Sequence, residues 1–147
     1  CLKPGGLGLL HFIGHVGRYD TELFIRKHVF PGGWIPSLAD TLVEMERCGL
    51  EVVDIENLRR HYALTLDAWA ERFERRWPDI QALDPPRFDE RFRRIWRTYL
   101  VGCAEMFRSP AGYTHLFQIV YSKGNLARDS YPMSRAHLYE RAIDGGV

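Results

Sequence analysis

Few cysteines and no long apolar run set the first limits. The 147-residue chain holds three cysteines, Cys1, Cys48 and Cys103, an odd number with no close pair. That excludes a full disulfide framework and a CxxC metal knuckle, and it suits a reducing cytosol. No stretch approaches the roughly 18 consecutive apolar residues of a membrane span, and no secretory signal pattern appears in these residues. Charge of one sign is missing as well: 20 basic residues stand against 19 acidic ones, a net charge of +1. No global field therefore argues for a nucleic-acid partner. Internal repeats and low-complexity tracts are absent from the sequence.

What is present is aromatic. Four Trp, seven Tyr and eight Phe make up 13% of the chain, more than a small core usually needs, and this points to a large apolar pocket. The length suits one domain with a sizeable core. An opening on "CLKPGG", in what reads as an element boundary, gives the expectation that these residues are part of a longer chain.

"LKPGG" reads as a helix end and a turn. Leu7 to Ile13 is a near-continuous apolar run, the pattern of a strand buried on both faces, and Gly14 to Tyr19 reads as a loop. Phe24 to Ser37 begins as a short helix and breaks at Pro31-Gly32-Gly33. Ser37 is placed to cap a helix carrying Leu38, Leu42 and Met45, with Gly49 just beyond its end. "LEVVDIENL" follows as a second strand. Two amphipathic helices come next, one with Tyr62, Leu66, Trp69, Phe73 and Trp77 on a face and ended by Pro78. The other carries Phe88, Phe92, Ile95, Tyr99, Cys103 and Met106, with arginines opposite. "DPP", Asp84 to Pro86, is the loop between them. His115 to Gly124 is a third apolar strand. After it a polar tail, residues 126–147, carries at most a short helix. This order predicts an α/β fold containing part of a parallel or mixed sheet.

The chemistry-bearing candidates are few. His11 and His15 are four apart, but on a strand interrupted by Gly14 and without an HExxH glutamate they do not form a metal-ligand pattern. On residue pattern alone His11 is either a satisfied core histidine or a base near a strand's carboxyl end, where open α/β sheets bind ligands. Tyr62 is either a core tyrosine or a phenol donor at a rim. "FPGG" offers backbone N–H groups that suit an anion, though glycines alone are weakly specific. The face of "RFDERFRRIWR" reads as solvated, with contact to anionic lipid as the alternative.

Five motifs carry a resemblance. "LKPGG…LLHFIG" (Leu2 to Gly14), "VFPGGWIPS" (Val29 to Ser37), "HYALTLDAWAERF" (His61 to Phe73), "YLVGCAEMFR" (Tyr99 to Arg108) and "QIVYSKG" (Gln118 to Gly124) resemble, in order and spacing, the C-terminal half of the cyclopropane fatty acid synthases, including the mycolic acid cyclopropane synthases. The resemblance implies the C-terminal part of a Rossmann-like methyltransferase dependent on S-adenosylmethionine. Residues 1–125 would supply the last three strands of a mixed sheet, the final one antiparallel, with a helical lipid-binding cap. Residues 126–147 lie outside it.

It further implies methylene transfer to a cis double bond in an unsaturated phospholipid acyl chain, at the inner membrane face. Alkene attack on the sulfonium methyl leaves a carbocation in an apolar pocket, and one proton must then leave the transferred carbon. A weak base suffices there if it is held in place and water is excluded. In the family that base is a bicarbonate ion. By position, the resemblance gives His11 as a hydrogen-bonding partner of this anion, the Ile13 carbonyl as acceptor of its hydroxyl, and Tyr62 as donor. Phe30, Gly33 and Trp69 fall to acyl-chain binding. No metal enters. The family's glycine-rich cofactor loop, the acid for the cofactor ribose, and the cysteine and glutamate that complete the anion site lie upstream of the matched motifs. The expectation is that the N-terminal half of the same domain supplies them, and that these residues alone bind no cofactor. A homodimer is compatible with the pattern. Two other readings stay open: a relative that methylates an alkene or a small-molecule amine without ring closure, and a non-catalytic lipid-binding fragment.

Overall fold

A computed structural model describes residues 2–139. Cys1 and residues 140–147, which include part of the tail helix expected from sequence, lie outside the described residues. Three strands form one sheet in the order β1-β3-β2: β1 is Leu7–His15, β2 is Leu50–Asn57 and β3 is Thr114–Lys123. The central β3 runs antiparallel to both neighbours, so β1 and β2 are parallel to each other. This is the arrangement expected of the final three strands, with the last one reversed. A bulge in β2 falls between Val52 and Asp54.

The five α-helices among the described residues are α1 (Leu38–Arg47), α2 (Arg59–Arg75), α3 (Trp77–Leu83), α4 (Glu90–Arg108) and α5 (Ala136–Tyr139), and a π-helical turn at Ile25–Val29 is the short helix expected after Phe24. Ser37 caps α1 as its sequence suggests: its hydroxyl oxygen accepts from the Asp40 N–H at 3.0 Å and its O–H donates to the Asp40 carboxylate at 2.7 Å. Gly49, at φ 66°, takes the left-handed conformation that lets the chain leave α1 and enter β2. Asp89 caps α4 by accepting from the Phe92 N–H at 2.7 Å.

Four expectations are corrected. β1 is not buried on both faces: Leu7, Leu9 and His11 are exposed, and burial on that face rises only towards Ile13 and His15. The helices cover just the carboxyl half of this face, and one edge of β1 carries no neighbouring strand among the described residues. The strand also runs on to His15, pairing with Thr114, so His11 sits mid-strand rather than near the carboxyl end. Pro78 does not simply end a helix. It lies in the first turn of α3, where its missing N–H has no intrahelical role to lose. The arginines of α4 are not all solvated: Arg93 pairs with Glu74 of α2 at 2.5 Å and lies over the Trp77 ring, and Arg108 reaches Asp67 at 2.5 Å.

The core sits between α2, α4 and the sheet. Ala63 and Leu66 meet Leu100, Cys103, Ala104 and Phe107, with Leu116 of β3 beneath them. The small residues Ala63 and Ala104 let the two helices approach closely. Arg59 then fastens the start of α2 to the end of α4, donating to the carbonyls of Phe107 and Ser109. The tail folds back onto β2: the Leu126 N–H donates to Glu51 at 2.7 Å, and Arg135 pairs with Asp54 at 2.9 Å.

Candidate active site

Two cavities share a wall made of Ile13 and Tyr62. The first, about 180 Å³, is walled by Ile25, Phe30, Gly33, Trp34, Tyr99 and Phe107 besides that pair, with Thr21, Thr114 and Cys103 as its polar or polarisable members. The second, about 510 Å³ and more open, is lined by His11, Phe12, His61, Trp69 and Leu116 together with Ile13 and Tyr62. Of the residues singled out from sequence, His11, Ile13 and Tyr62 therefore come together. Phe30 and Gly33 line the first cavity. Trp69 lines the second instead, with its ring set edge-on to Tyr62 at 5.9 Å. Part of the aromatic surplus of the sequence, Phe12, Phe30, Trp34, Tyr62, Trp69, Tyr99 and Phe107, lines these two spaces, and the rest packs elsewhere.

Strand register explains how β1 presents its groups. Val16 donates to the Tyr113 carbonyl and Lys123 to that of Gly6, so the even-numbered residues of β1 bond to β3. The odd-numbered ones turn their N–H and C=O to the other edge. His15 shows this, donating from its backbone to Pro36 at 2.9 Å. The Ile13 carbonyl accordingly faces the open edge rather than the ladder. The side chains of His11, Ile13 and His15 share one face, opposite Gln118, Leu116 and Thr114 of β3.

His11 is held by Gln118, whose amide nitrogen lies 2.9 Å from Nδ1. With that amide donating, Nδ1 is an acceptor and the proton resides on Nε2, which is left to donate into the second cavity. Tyr62 is anchored by edge-to-face packing on Phe107 at 4.9 Å as well as on Trp69. Burial raises its phenol above the ordinary tyrosine value, with a smaller contribution from neighbouring Cys103, so it stays a neutral O–H donor. Cys103 itself is pushed up to about 11, chiefly by burial, which makes it an inert thiol of the cavity wall rather than a nucleophile.

His15 has a different fate from His11. It is fully buried, packs beside the stacked Tyr19 and Tyr113 rings, and bonds through Nδ1 to the Thr114 hydroxyl at 3.1 Å, while its Nε2 has no partner. Burial lowers its pKa, against a smaller raising effect of Glu22. Glu22 accepts from the Tyr113 hydroxyl, which holds that phenol up at about 12. No group of three or more His, Cys, Asp or Glu suited to a metal ion occurs among the described residues.

Gln118, Tyr99 and the Thr21–Thr114 pair were not singled out from sequence. Gln118 had one signal, a polar residue inside the apolar run "HLFQIVY", but its role depends on the register that sets it opposite His11.

The residues present fit a small oxyanion but not a nucleotide-sized cofactor. For the anion, His11, Ile13 and Tyr62 line one cavity and between them carry an imidazole N–H, a carbonyl and a phenol O–H, the kinds of donor and acceptor such a group requires. For the cofactor, the glycines following the middle of β1 make room for this chain's own rings. A Cβ at Gly14 would sit 2.8 Å from the Phe12 ring, and one at Gly17 would sit 2.8 Å from the Tyr19 ring. They are spaces for aromatic packing, and no described residue is assigned to holding S-adenosylmethionine.

Comparison with known proteins gives a consistent result. The family model described as mycolic acid cyclopropane synthetase matches residues 1–119. A probable fatty acid methyltransferase of Pseudomonas putida is 40% identical over 150 residues, covering 95% of this chain and 36% of the relative. The cyclopropane-fatty-acyl-phospholipid synthase of Escherichia coli (strain K12) is 36% identical over 124 residues, 84% of this chain and 31% of the relative. A solved structure of mycolic acid cyclopropane synthase CmaA1, complexed with SAH and CTAB, superposes with a TM-score of 0.67 at 30% identity, covering 80% of this chain and 44% of that one. The chain thus spans about a third of the length of the curated relatives it matches.

Proposed function

Because the chain belongs to the mycolic acid cyclopropane synthetase family of S-adenosylmethionine-dependent methyltransferases, we propose that it supplies the acyl-chain pocket and the proton-accepting site of an enzyme that builds a cyclopropane ring. The substrate of this reading is the cis double bond of an unsaturated phospholipid acyl chain. S-adenosylmethionine would furnish the electrophilic methyl group from residues outside those described.

One observation carries the reading: Ile13 and Tyr62 line both cavities, so the apolar space and the polar one holding His11 share a wall. An acyl chain lying against Phe30, Gly33 and Tyr99 brings its alkene to that wall. Trp69 and Tyr62 present π faces to the positive charge that develops beside them. His11 Nε2–H and the Tyr62 hydroxyl donate to a bicarbonate ion while the Ile13 carbonyl accepts from its O–H, and this bound base takes the proton released on ring closure. Burial of Tyr62 and the core beneath it keep water from the cation.

The test uses the complete polypeptide that carries this chain, incubated with S-adenosylmethionine and unsaturated phospholipid. The expected product is heavier by about 14 mass units, one CH₂, and has lost its double bond without gaining a methyl branch. A methyl-branched or alkene-retaining product would instead support the second reading, simple methylation. The similarity to a probable fatty acid methyltransferase of P. putida supports that alternative. Absence of any lipid product overturns both.

A further inference from the structure

The second cavity holds a titratable group that ring closure itself does not use. His61 lies in the first turn of α2, beside Tyr62, and lines that cavity together with His11 and Ile13. Its ring makes no hydrogen bond or ion pair among the described residues. The Thr65 hydroxyl, one turn further on and in the same wall, reaches only its backbone carbonyl, at 3.3 Å. A bound base, however, works once unless it loses the proton it has taken. The other side chains of this wall are unsuited to remove it. Gln118 occupies Nδ1 of His11, so that ring already carries its proton on Nε2. Burial keeps the Tyr62 phenol neutral, and neither the Thr65 hydroxyl nor the Trp69 indole is a base at neutral pH. Imidazole is the side chain that takes up and releases protons near neutrality, and the free one in this wall is His61. Its place at the start of a helix, where the aligned peptide dipoles disfavour a lasting positive charge, suits a group that passes a proton on instead of keeping it.

We propose that His61 restores the base after each turnover, taking the proton of the resulting carbonic acid directly or across one water molecule. The carbonic acid O–H bond breaks with its electron pair left on oxygen, which regenerates bicarbonate in place. The imidazole lone pair forms the new N–H bond, and the imidazolium then gives the proton to water or buffer. This rests on the ring-closing reading of the site, but it concerns the turnovers after the first, and the two fail separately.

The experiment compares the complete polypeptide with its His61→Gln and His61→Ala variants, in dilute buffer with bicarbonate, S-adenosylmethionine and unsaturated phospholipid. Glutamine keeps the size and hydrogen bonding of the side chain but takes no proton. With enzyme in excess, both variants should complete a first turnover at the wild-type rate. In the steady state both should lose roughly 10-fold or more of kcat with KM for lipid unchanged. Added imidazole should restore His61→Ala and leave the wild type unaffected. A second measurement needs neither S-adenosylmethionine nor lipid: in histidine ring NMR, bicarbonate should raise the titration midpoint of His61, as a nearby anion does for any imidazole. An equal loss in the first turnover overturns the proposal. So does a loss that imidazole does not restore, or wild-type kcat in His61→Gln, which would send the proton out through a group beyond the described residues. A His61 midpoint that stays fixed while the His11 signals respond to bicarbonate overturns it as well. A wild type that makes no cyclopropane overturns the ring-closing reading and this proposal with it, whereas unaffected variants beside an active wild type overturn this proposal alone.

Discussion

Gln118 stands directly across the ladder from His11 and places its amide nitrogen 2.9 Å from Nδ1. The register brings the amide to Nδ1, and with the amide donating the imidazole proton is left on Nε2. Gln118 is a positioning residue: it touches no reacting atom but sets the tautomer of one that would. Gln118→Leu should lower kcat by roughly 10-fold or more and leave KM near its wild-type value, the size of effect typical for orienting partners of a functional histidine. In a His11→Ala background the same substitution should do almost nothing, because its target is gone. Additive losses in the double variant would show that Gln118 acts through packing.

For Tyr62 the packing and the hydroxyl can be separated. The ring is locked edge-to-face against Phe107 and Trp69, contacts that phenylalanine preserves. Tyr62→Phe should therefore leave thermal stability almost unchanged while reducing kcat by about two orders of magnitude, the range seen when a single donor to a developing charge is removed. Lipid binding, measured without S-adenosylmethionine, should change little. Matching losses of binding and kcat would assign Tyr62 to the cavity wall alone.

The contrast between His11 and His15 shows what sequence conveys here and what it does not. Periodicity and turn chemistry suffice for the succession of strands and helices along the chain, the Ser37 cap, the Gly49 exit and both long amphipathic helices, because these depend on neighbours a few residues away; the reversed last strand comes from the resemblance. The fate of the two histidines depends on contacts far along the chain. His15 is sealed by Thr114, Tyr19 and Tyr113, and His11 is left open by Gln118. Residue pattern could not rank them, and the family resemblance put His11 forward by position. Likewise the helical stripe of Tyr62, Trp69 and Phe73 predicted an apolar face correctly. The buried α2–α4 contact nevertheless falls on Ala63, Leu66 and Ala104, with Phe73 packed against that cluster and Tyr62 and Trp69 left to line cavities. The exposure of Leu7 and Leu9 was illegible for a related reason: an apolar run does not say which of its faces the described helices reach.

Buried His15 makes stability depend on acidity. Burial holds its folded pKa below the ordinary 6.5, so the unfolded chain takes up this proton first as the pH falls. The stabilisation is fully present above about 6.5, the unfolded value, and is lost as pH drops through the folded one. His115, lowered mainly by burial too, adds in the same direction. Urea midpoints of the complete polypeptide should therefore decline between pH 7.5 and pH 5. In His15→Phe the decline should be shallower, whatever the absolute stability of the variant. Parallel slopes would mean that His15 is protonated at little expense and that its surroundings open on acidification.

Two glycines close to one another in sequence should respond in opposite directions to the same added methyl group. Gly102 lies inside α4 on its exposed side, and a Cβ there would meet nothing within 4 Å. Gly102→Ala removes the backbone entropy that glycine loses on entering a helix and should stabilise by about 1 kcal/mol. Gly112 follows the end of α4, where a Cβ would fall 2.2 Å from the Met106 carbonyl oxygen and 3.2 Å from that of Ser109. Those are backbone atoms at a helix terminus and cannot swing aside as a flexible side chain would. Gly112→Ala must shift the turn that leads into β3 and delivers Thr114 to His15 and to the cavity wall, so it should destabilise by about 2–3 kcal/mol. In thermal melts this amounts to a rise of roughly 2–4 °C for Gly102→Ala and a fall of at least twice that for Gly112→Ala. A neutral Gly112→Ala would show that the α4–β3 turn has room to rearrange, and that Thr114 is not fixed by this turn.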